Sequence, residues 1–163
     1  MDSLIPAESM QLVGERLSEP IAATIHTEDA QRFALATDDR NPIYFDEAAA
    51  RKAGYRTLPV PPTLLAWAQA PPRPLDDLRV DGLFHAAGRR IPLNVDRVMA
   101  AGEEWEFLAP IYVEDRITAE TRLHSLEEKV GRSGPFVVQI AETRFTNQDG
   151  ELVALQRAGG IAR

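Results

Sequence analysis

Polar and apolar positions alternate most regularly in the C-terminal half of the chain. Ile117, Ala119, Thr121 and Leu123 fall on one side, and Arg116, Thr118, Glu120 and Arg122 on the other, which is the period of a half-buried strand. Phe136 to Phe145 is a second β run, Asn147-Gln148-Asp149-Gly150 is a turn sequence, and Glu151 to Gln156 returns as a further strand. Upstream, Asn94 to Phe107 predicts one or two strands, broken near Ala101-Gly102. This half therefore reads as an antiparallel meander with one polar face.

The N-terminal half changes period. Ile21 to Ile25 is a short strand after Pro20. Thr27 then starts a helix as its N-cap, with Glu28 and Asp29 in the first turn, where the helix dipole favours them. Ala30, Phe33, Ala34 and Thr37 share one face of that helix, and Asp38 to Pro42 ends it. Asp46 caps a second helix, Glu47–Ala53, stopped by Gly54. Leu58 to Pro62 is extended, and Thr63 to Ala70 is apolar nearly all round, which predicts a buried helix with Trp67 in the core. Residues 71–90 read as a long loop with at most one helical turn. A buried helix ahead of a one-faced sheet has an evident place, inside the curl of that sheet. The fold class expected is α+β, with residues 1–163 forming a single domain.

Composition narrows the chemistry. The 163 residues contain no cysteine, which excludes disulfides, thiolate metal sites and a thiol nucleophile. A net charge of −7 argues against nucleic acid and anionic membrane as partners. No window approaches ~18 apolar residues, so no membrane span is expected, and Met1 to Gln11 lacks the basic start of a secretory signal. A cytoplasmic domain is the expectation. The three histidines, His26, His85 and His124, show no metal-ligand spacing with the carboxylates, so neither metal nor cofactor is expected.

The stretch Ala36-Thr37-Asp38-Asp39-Arg40-Asn41-Pro42-Ile43-Tyr44-Phe45-Asp46 resembles the signature segment of the MaoC-like hydratases and dehydratases. In that family an Asp, an Asn-Pro pair and a His precede another Asp that opens a small helix. The resemblance continues through Ala48 to Tyr55, Val60-Pro61-Pro62-Thr63, Leu93 to Gly102, Glu106 to Ile111, Lys129 to Gly134 and Asn147 to Val153. It is closest to the N-terminal-half branch, of FAS1-like or type 2 hydroxyacyl-thioester dehydratase type. What this resemblance implies is a hot-dog fold, an antiparallel sheet wrapped around a central helix, acting on acyl thioesters of CoA or acyl carrier protein.

Syn addition of water to an enoyl thioester needs a base for the water, an acid for Cα, and N–H groups that polarise the carbonyl. By resemblance, Asp39 occupies the aspartate position, while Tyr44 stands where active members carry histidine. A phenol with an ordinary pKa near 10 is a poor base at neutral pH, but it can donate a hydrogen bond. Pro61 and Pro62 lack N–H at the start of the apolar helix, leaving Thr63 as the first donor. The expected catalytic positions are therefore Asp39 and Tyr44, with Asn41, Pro62, Thr63 and His85 as substrate-side residues. The bland alternatives stay open: Asp39 and Asn41 as turn formers, Tyr44 as packing or substrate lining, and His85 as a solvated loop residue. Lys129, Arg132, Arg89 and Arg90 are candidates for a CoA phosphate or an acidic carrier, or else simply solvated cations.

The reading that follows is an (R)-specific enoyl-thioester hydratase or 3-hydroxyacyl-thioester dehydratase, acting as one subunit of a homodimer or heterodimer. A non-catalytic acyl-binding subunit paired with an Asp/His-bearing partner is the second reading, and a hot-dog thioesterase the third. Pairing is also expected on physical grounds, because one curled sheet leaves open edges.

Overall fold

Strand periodicity is used as the sequence predicts. Ile117, Ala119 and Leu123 are buried along a long strand, β3, which spans Arg116–Gly131. The computed structural model describes residues 3–68, 74–77, 89–95 and 97–163. Among them β3 is joined by β1 (Ile21–Thr24), β2 (Val98–Phe107), β4 (Gly134–Thr146) and β5 (Leu152–Ala162). All pairings are antiparallel, in the order β1-β3-β4-β5-β2, a curled hot-dog sheet. β2 is one strand with a register shift between Ala100 and Gly102, so the break read in the sequence is a bulge within it. A second shift, between Leu123 and Ser125, sets His124 as the extra residue of β3. It moves the buried positions from odd to even numbers, and Leu126 is the next one inside.

Four helices sit around the sheet among the described residues: α1 (Ala7–Met10), α2 (Thr27–Ala36), α3 (Glu47–Lys52) and α4 (Leu65–Ala68). Asp46 caps α3, its Oδ1 accepting from the Ala48 N–H at 2.8 Å. The central helix opens as a 3₁₀ turn, Pro62–Leu64, which runs into α4. Leu64, Leu65 and Ala68 face the sheet and are buried, whereas Trp67 is 46% exposed. The expectation of a core Trp67 is therefore corrected: an all-apolar stretch does not reveal which side lacks a neighbour. Helix α2 also differs in detail. His26, not Thr27, holds the cap position, and the Thr27 N–H is met by Glu114 Oε1 at 3.2 Å.

The core has two parts. Ile25, Val60, Leu64, Leu65, Ile111, Ile117, Phe145 and Val153 form one, against the central helix. Leu12, Leu123, Leu126, Val137 and Ala162 form the other, beneath the N-terminal segment and residues 91–95. Each large side chain so buried contributes about 1.5–3 kcal/mol. Between the two lies a polar belt in which the Thr121 and Thr143 hydroxyls share a 2.9 Å hydrogen bond. No helix among the described residues is long and apolar enough to cross a membrane.

Glu114 sits at φ 66°, and its Oε2 is 2.9 Å from His26 Nδ1. This contact raises the His26 pKa from 6.5, and the same hydrogen bond lowers that of Glu114 from 4.5. The histidine's contribution is complete below 6.5 and is lost as pH rises through its folded value. The glutamate's is complete above 4.5 and is lost as pH falls through its folded value. Glu114→Gln is therefore expected to lower the thermal midpoint most between pH 4.5 and 6.5, with the difference shrinking on either side. Calorimetry across that range checks it, and a pH-independent difference contradicts it.

Candidate functional site

The segment after α2 turns sharply because Asp38 adopts φ 55° and two short side chains tie down the backbone that follows. Asp39 Oδ1 accepts from the Asn41 N–H at 3.1 Å, and Asn41 Oδ1 accepts from the Ile43 N–H at 3.3 Å. Asn41 thereby caps a 3₁₀ turn, Pro42–Tyr44, that drives the Tyr44 side chain inward to 8% exposure. The turn is steadied from α2 by Gln31, whose Nε2 reaches the Tyr44 carbonyl at 3.4 Å.

Tyr44 and Pro62 share the wall of an open, mainly apolar cavity of about 260 Å³. The remaining wall comes from Ile43 beside Tyr44, from Tyr55, Pro59 and Val60 on one side and from Phe107 to Ile111 on the other. These two walls are stitched together: the Val60 N–H donates to Ile111 O at 2.8 Å, and the Val113 N–H to Leu58 O at 3.1 Å. Behind them stands Asp115, only 4% exposed. Its Oδ1 takes Arg56 Nη2 at 2.9 Å and Gln148 Nε2 at 3.0 Å, while Oδ2 takes the Tyr112 N–H at 2.9 Å. Arg56 also lies 4.2 Å above the Tyr112 ring, and Tyr55 meets that ring edge-on. On the other side Trp105 stacks on Phe107 at 5.8 Å and on Phe145 at 5.4 Å, joining the mouth of the cavity to the core.

Electrostatics set the state of Tyr44. Burial raises its pKa above 10, and the negative charge of Asp39, then Tyr55, push it the same way. At neutral pH the side chain is a phenol, a hydrogen-bond donor that accepts no proton from water.

The structure brings Tyr44 and Pro62 into one wall; Asp39 is not among the residues that line it, though its negative charge helps to raise the Tyr44 pKa. Asn41 is exposed at the turn, and Thr63 is exposed on the first turn of the central helix, outside the cavity wall. His85 lies outside the described residues. His26 is engaged with Glu114, and Lys129 with Glu127 at 3.1 Å. Tyr55 and Phe107 to Ile111 were not singled out by residue chemistry. The signal that could have found them is the pair of resembling segments, Ala48–Tyr55 and Glu106–Ile111, in which they lie.

The sequence model of the FAS1-like dehydratase domain region matches residues 11–156. A UPF0336 protein of Mycolicibacterium paratuberculosis is 30% identical over 147 residues, covering 90% of this chain and 77% of its own. A probable enoyl-CoA hydratase alpha subunit of Thermomonospora curvata is 28% identical over 89% of this chain, which spans 47% of that protein. Among solved structures, a HadBC (3R-hydroxyacyl-ACP dehydratase) complex from Mycobacterium tuberculosis superposes with TM-score 0.64 and 25% identity, covering 92% of this chain and 96% of that one. The ChsH1-ChsH2 complex from the same organism gives TM-score 0.72 at 19% identity, covering 94% and 93%.

Three tyrosines make the Tyr44 assignment measurable. In an ultraviolet titration, Tyr44→Phe is expected to remove the phenol that ionises above 10, and Asp39→Asn to lower its pKa partway, because burial remains. Ionisation of Tyr44 below 10 would be incompatible with this site.

Proposed function

The chain belongs to the FAS1-like dehydratase domain family, and from that premise we propose that residues 1–163 form one hot-dog domain. It serves as a subunit of an (R)-specific enoyl-thioester hydratase or 3-hydroxyacyl-thioester dehydratase. The observation that carries the reading is the buried, protonated Tyr44 in the wall of an apolar cavity, at the position where active relatives carry histidine. A protonated phenol cannot take the proton from water. The base and the acid for Cα therefore come from an Asp/His pair on a partner hot-dog subunit.

This chain's share is binding and orientation. Val60, Ile111 and Phe107 take the acyl chain out of water, and the Tyr44 hydroxyl donates a hydrogen bond to the reacting water or to substrate oxygen. Burial, and after it the charge of Asp39, keep that hydroxyl protonated. In hydration, the partner's base removes a proton from water, the hydroxide adds at Cβ, and a proton is delivered to Cα on the same face. Dehydration runs the same steps backward. The heteromeric HadBC relative supports the two-subunit arrangement.

The test is hydration of crotonyl-CoA and longer enoyl-CoAs by the purified chain, alone and with an Asp/His-bearing hot-dog partner. No turnover alone, turnover on mixing, and a roughly tenfold lower rate for Tyr44→Phe in the complex are expected, the last being the loss of about one hydrogen bond. Turnover by the isolated chain that collapses in Asp39→Ala would overturn the division of labour. CoA release would point to the hydrolytic reading instead.

A further inference from the structure

The cavity wall is poor in hydrogen-bond donors. Pro59, Pro62 and Pro110 bring no N–H to it. The Val60 N–H is engaged with Ile111 O at 2.8 Å, and those of Leu108 and Ala109 with Val153 O at 2.9 and 3.3 Å. The backbone N–H groups of Tyr44 and Tyr55 point back to Asn41 O at 3.2 Å and Ala50 O at 3.0 Å. Among the described residues of the wall, Tyr44 and Tyr55 alone carry a polar side chain. In an apolar cavity a few polar groups fix the orientation of the ligand. Here that task falls to two phenols.

Both hydroxyls are available for it. Among the described residues neither has a side-chain hydrogen bond, and no buried side-chain polar atom there is left without a partner. An unbonded hydroxyl therefore meets accessible space, and for Tyr44, nearly buried, that space is the cavity it lines. Tyr55 follows Gly54, at φ 95°, and its ring stands edge-on to Tyr112 at 6.5 Å. Tyr112 is covered in turn by Arg56. The Tyr55 ring is thus held from behind by contacts that do not use its hydroxyl. After burial and Asp39, Tyr55 also adds to the raising of the Tyr44 pKa, as a group within electrostatic reach does.

Two O–H donors on one small cavity match the two lone pairs of a single carbonyl oxygen. The surrounding charge decides what kind of carbonyl. Asp39 is negative and bears on Tyr44, so a second anion is disfavoured there. The apolar wall adds the cost of taking a charge out of water. A neutral carbonyl accepts from both phenols and meets neither penalty.

We propose that Tyr55 is the second hydrogen-bond donor of the cavity, and that Tyr44 and Tyr55 together hold the neutral carbonyl oxygen of an acyl derivative in preference to a carboxylate. This rests on the acyl-thioester reading above. The probe is the hexanoyl thioester of N-acetylcysteamine, labelled with carbon-13 at its carbonyl and bound to the purified chain. Infrared difference spectra read the carbonyl stretch, and calorimetry reads the affinity. Tyr55→Phe is expected to raise the frequency of the bound stretch, as is Tyr44→Phe, and the double variant to raise it further. Each single variant should weaken binding about fivefold, the loss of one hydrogen bond. Hexanoate is expected to bind about tenfold more weakly than hexanamide, its neutral isostere, and Asp39→Asn to narrow that gap. Unchanged circular dichroism of the variants secures the comparison. A stretch and an affinity unmoved by Tyr55→Phe, hexanoate binding as tightly as hexanamide, or no binding of the thioester overturns the proposal. Because neither partner nor turnover is needed, it can fail while the two-subunit reading stands, and the carbonyl shift can stand if mixing with a partner gives no turnover.

Discussion

The candidate site hangs on one buried carboxylate. Asp115 is cut off from water, and an unpaired charge there would be costly. Three donors offset that cost, and each arrives from a different place: Arg56 from the loop after α3, Gln148 from the turn between β4 and β5, and the Tyr112 N–H from the approach to β3. The acid therefore fixes three segments relative to one another. Because Arg56 also covers the Tyr112 ring, the strand-like contact of residues 58–60 with 111–113 is held from behind. Those residues are the cavity's two walls. Arg56 itself is more than half in solvent, so the arrangement owes more to the neutral donors than to the ion pair.

Where local rules suffice, the sequence reading and the structure agree. Alternation marked the Arg116–Leu123 part of β3, a β run marked Phe136–Phe145 within β4, the return at Glu151–Gln156 marked the first part of β5, Asn147-Gln148-Asp149-Gly150 marked the turn between β4 and β5, and Asp46 marked the start of α3. The bulge in β2 was legible because Gly102 takes φ 103°. The bulge at His124 was not, since nothing about histidine requires it; it follows from pairing with β4, a partner remote in sequence. For the same reason the second core escaped notice: Leu4, Ile5 and Leu12, on either side of α1, and residues 91–95 meet only in space. Within the site, Tyr44 and Pro62 were legible by position, whereas Phe107 to Ile111 reach the cavity through strand pairing that local periodicity does not encode.

Tyr44, at the position where the resembling family carries histidine, is held as a phenol by its surroundings. Burial and a neighbouring carboxylate act together to keep its proton on. For a histidine the two would oppose each other, burial disfavouring the charged imidazolium and the Asp39 carboxylate favouring it, whereas for the phenol both act in one direction.

The extra residue at His124 works like a shift of reading frame along β3. Before it the buried positions, Ile117, Ala119 and Leu123, are odd; after it the buried Leu126 is even, and Leu123 and Leu126 both join the core beneath the N-terminal segment. A change of one residue in the length of β3 beyond the bulge can be absorbed there, because the phase is reset at that point. The stretch Arg116–Leu123, which backs the cavity side of the molecule, keeps its own phase throughout. The facing pattern of β3 thus changes once along its length, at a single unpaired residue.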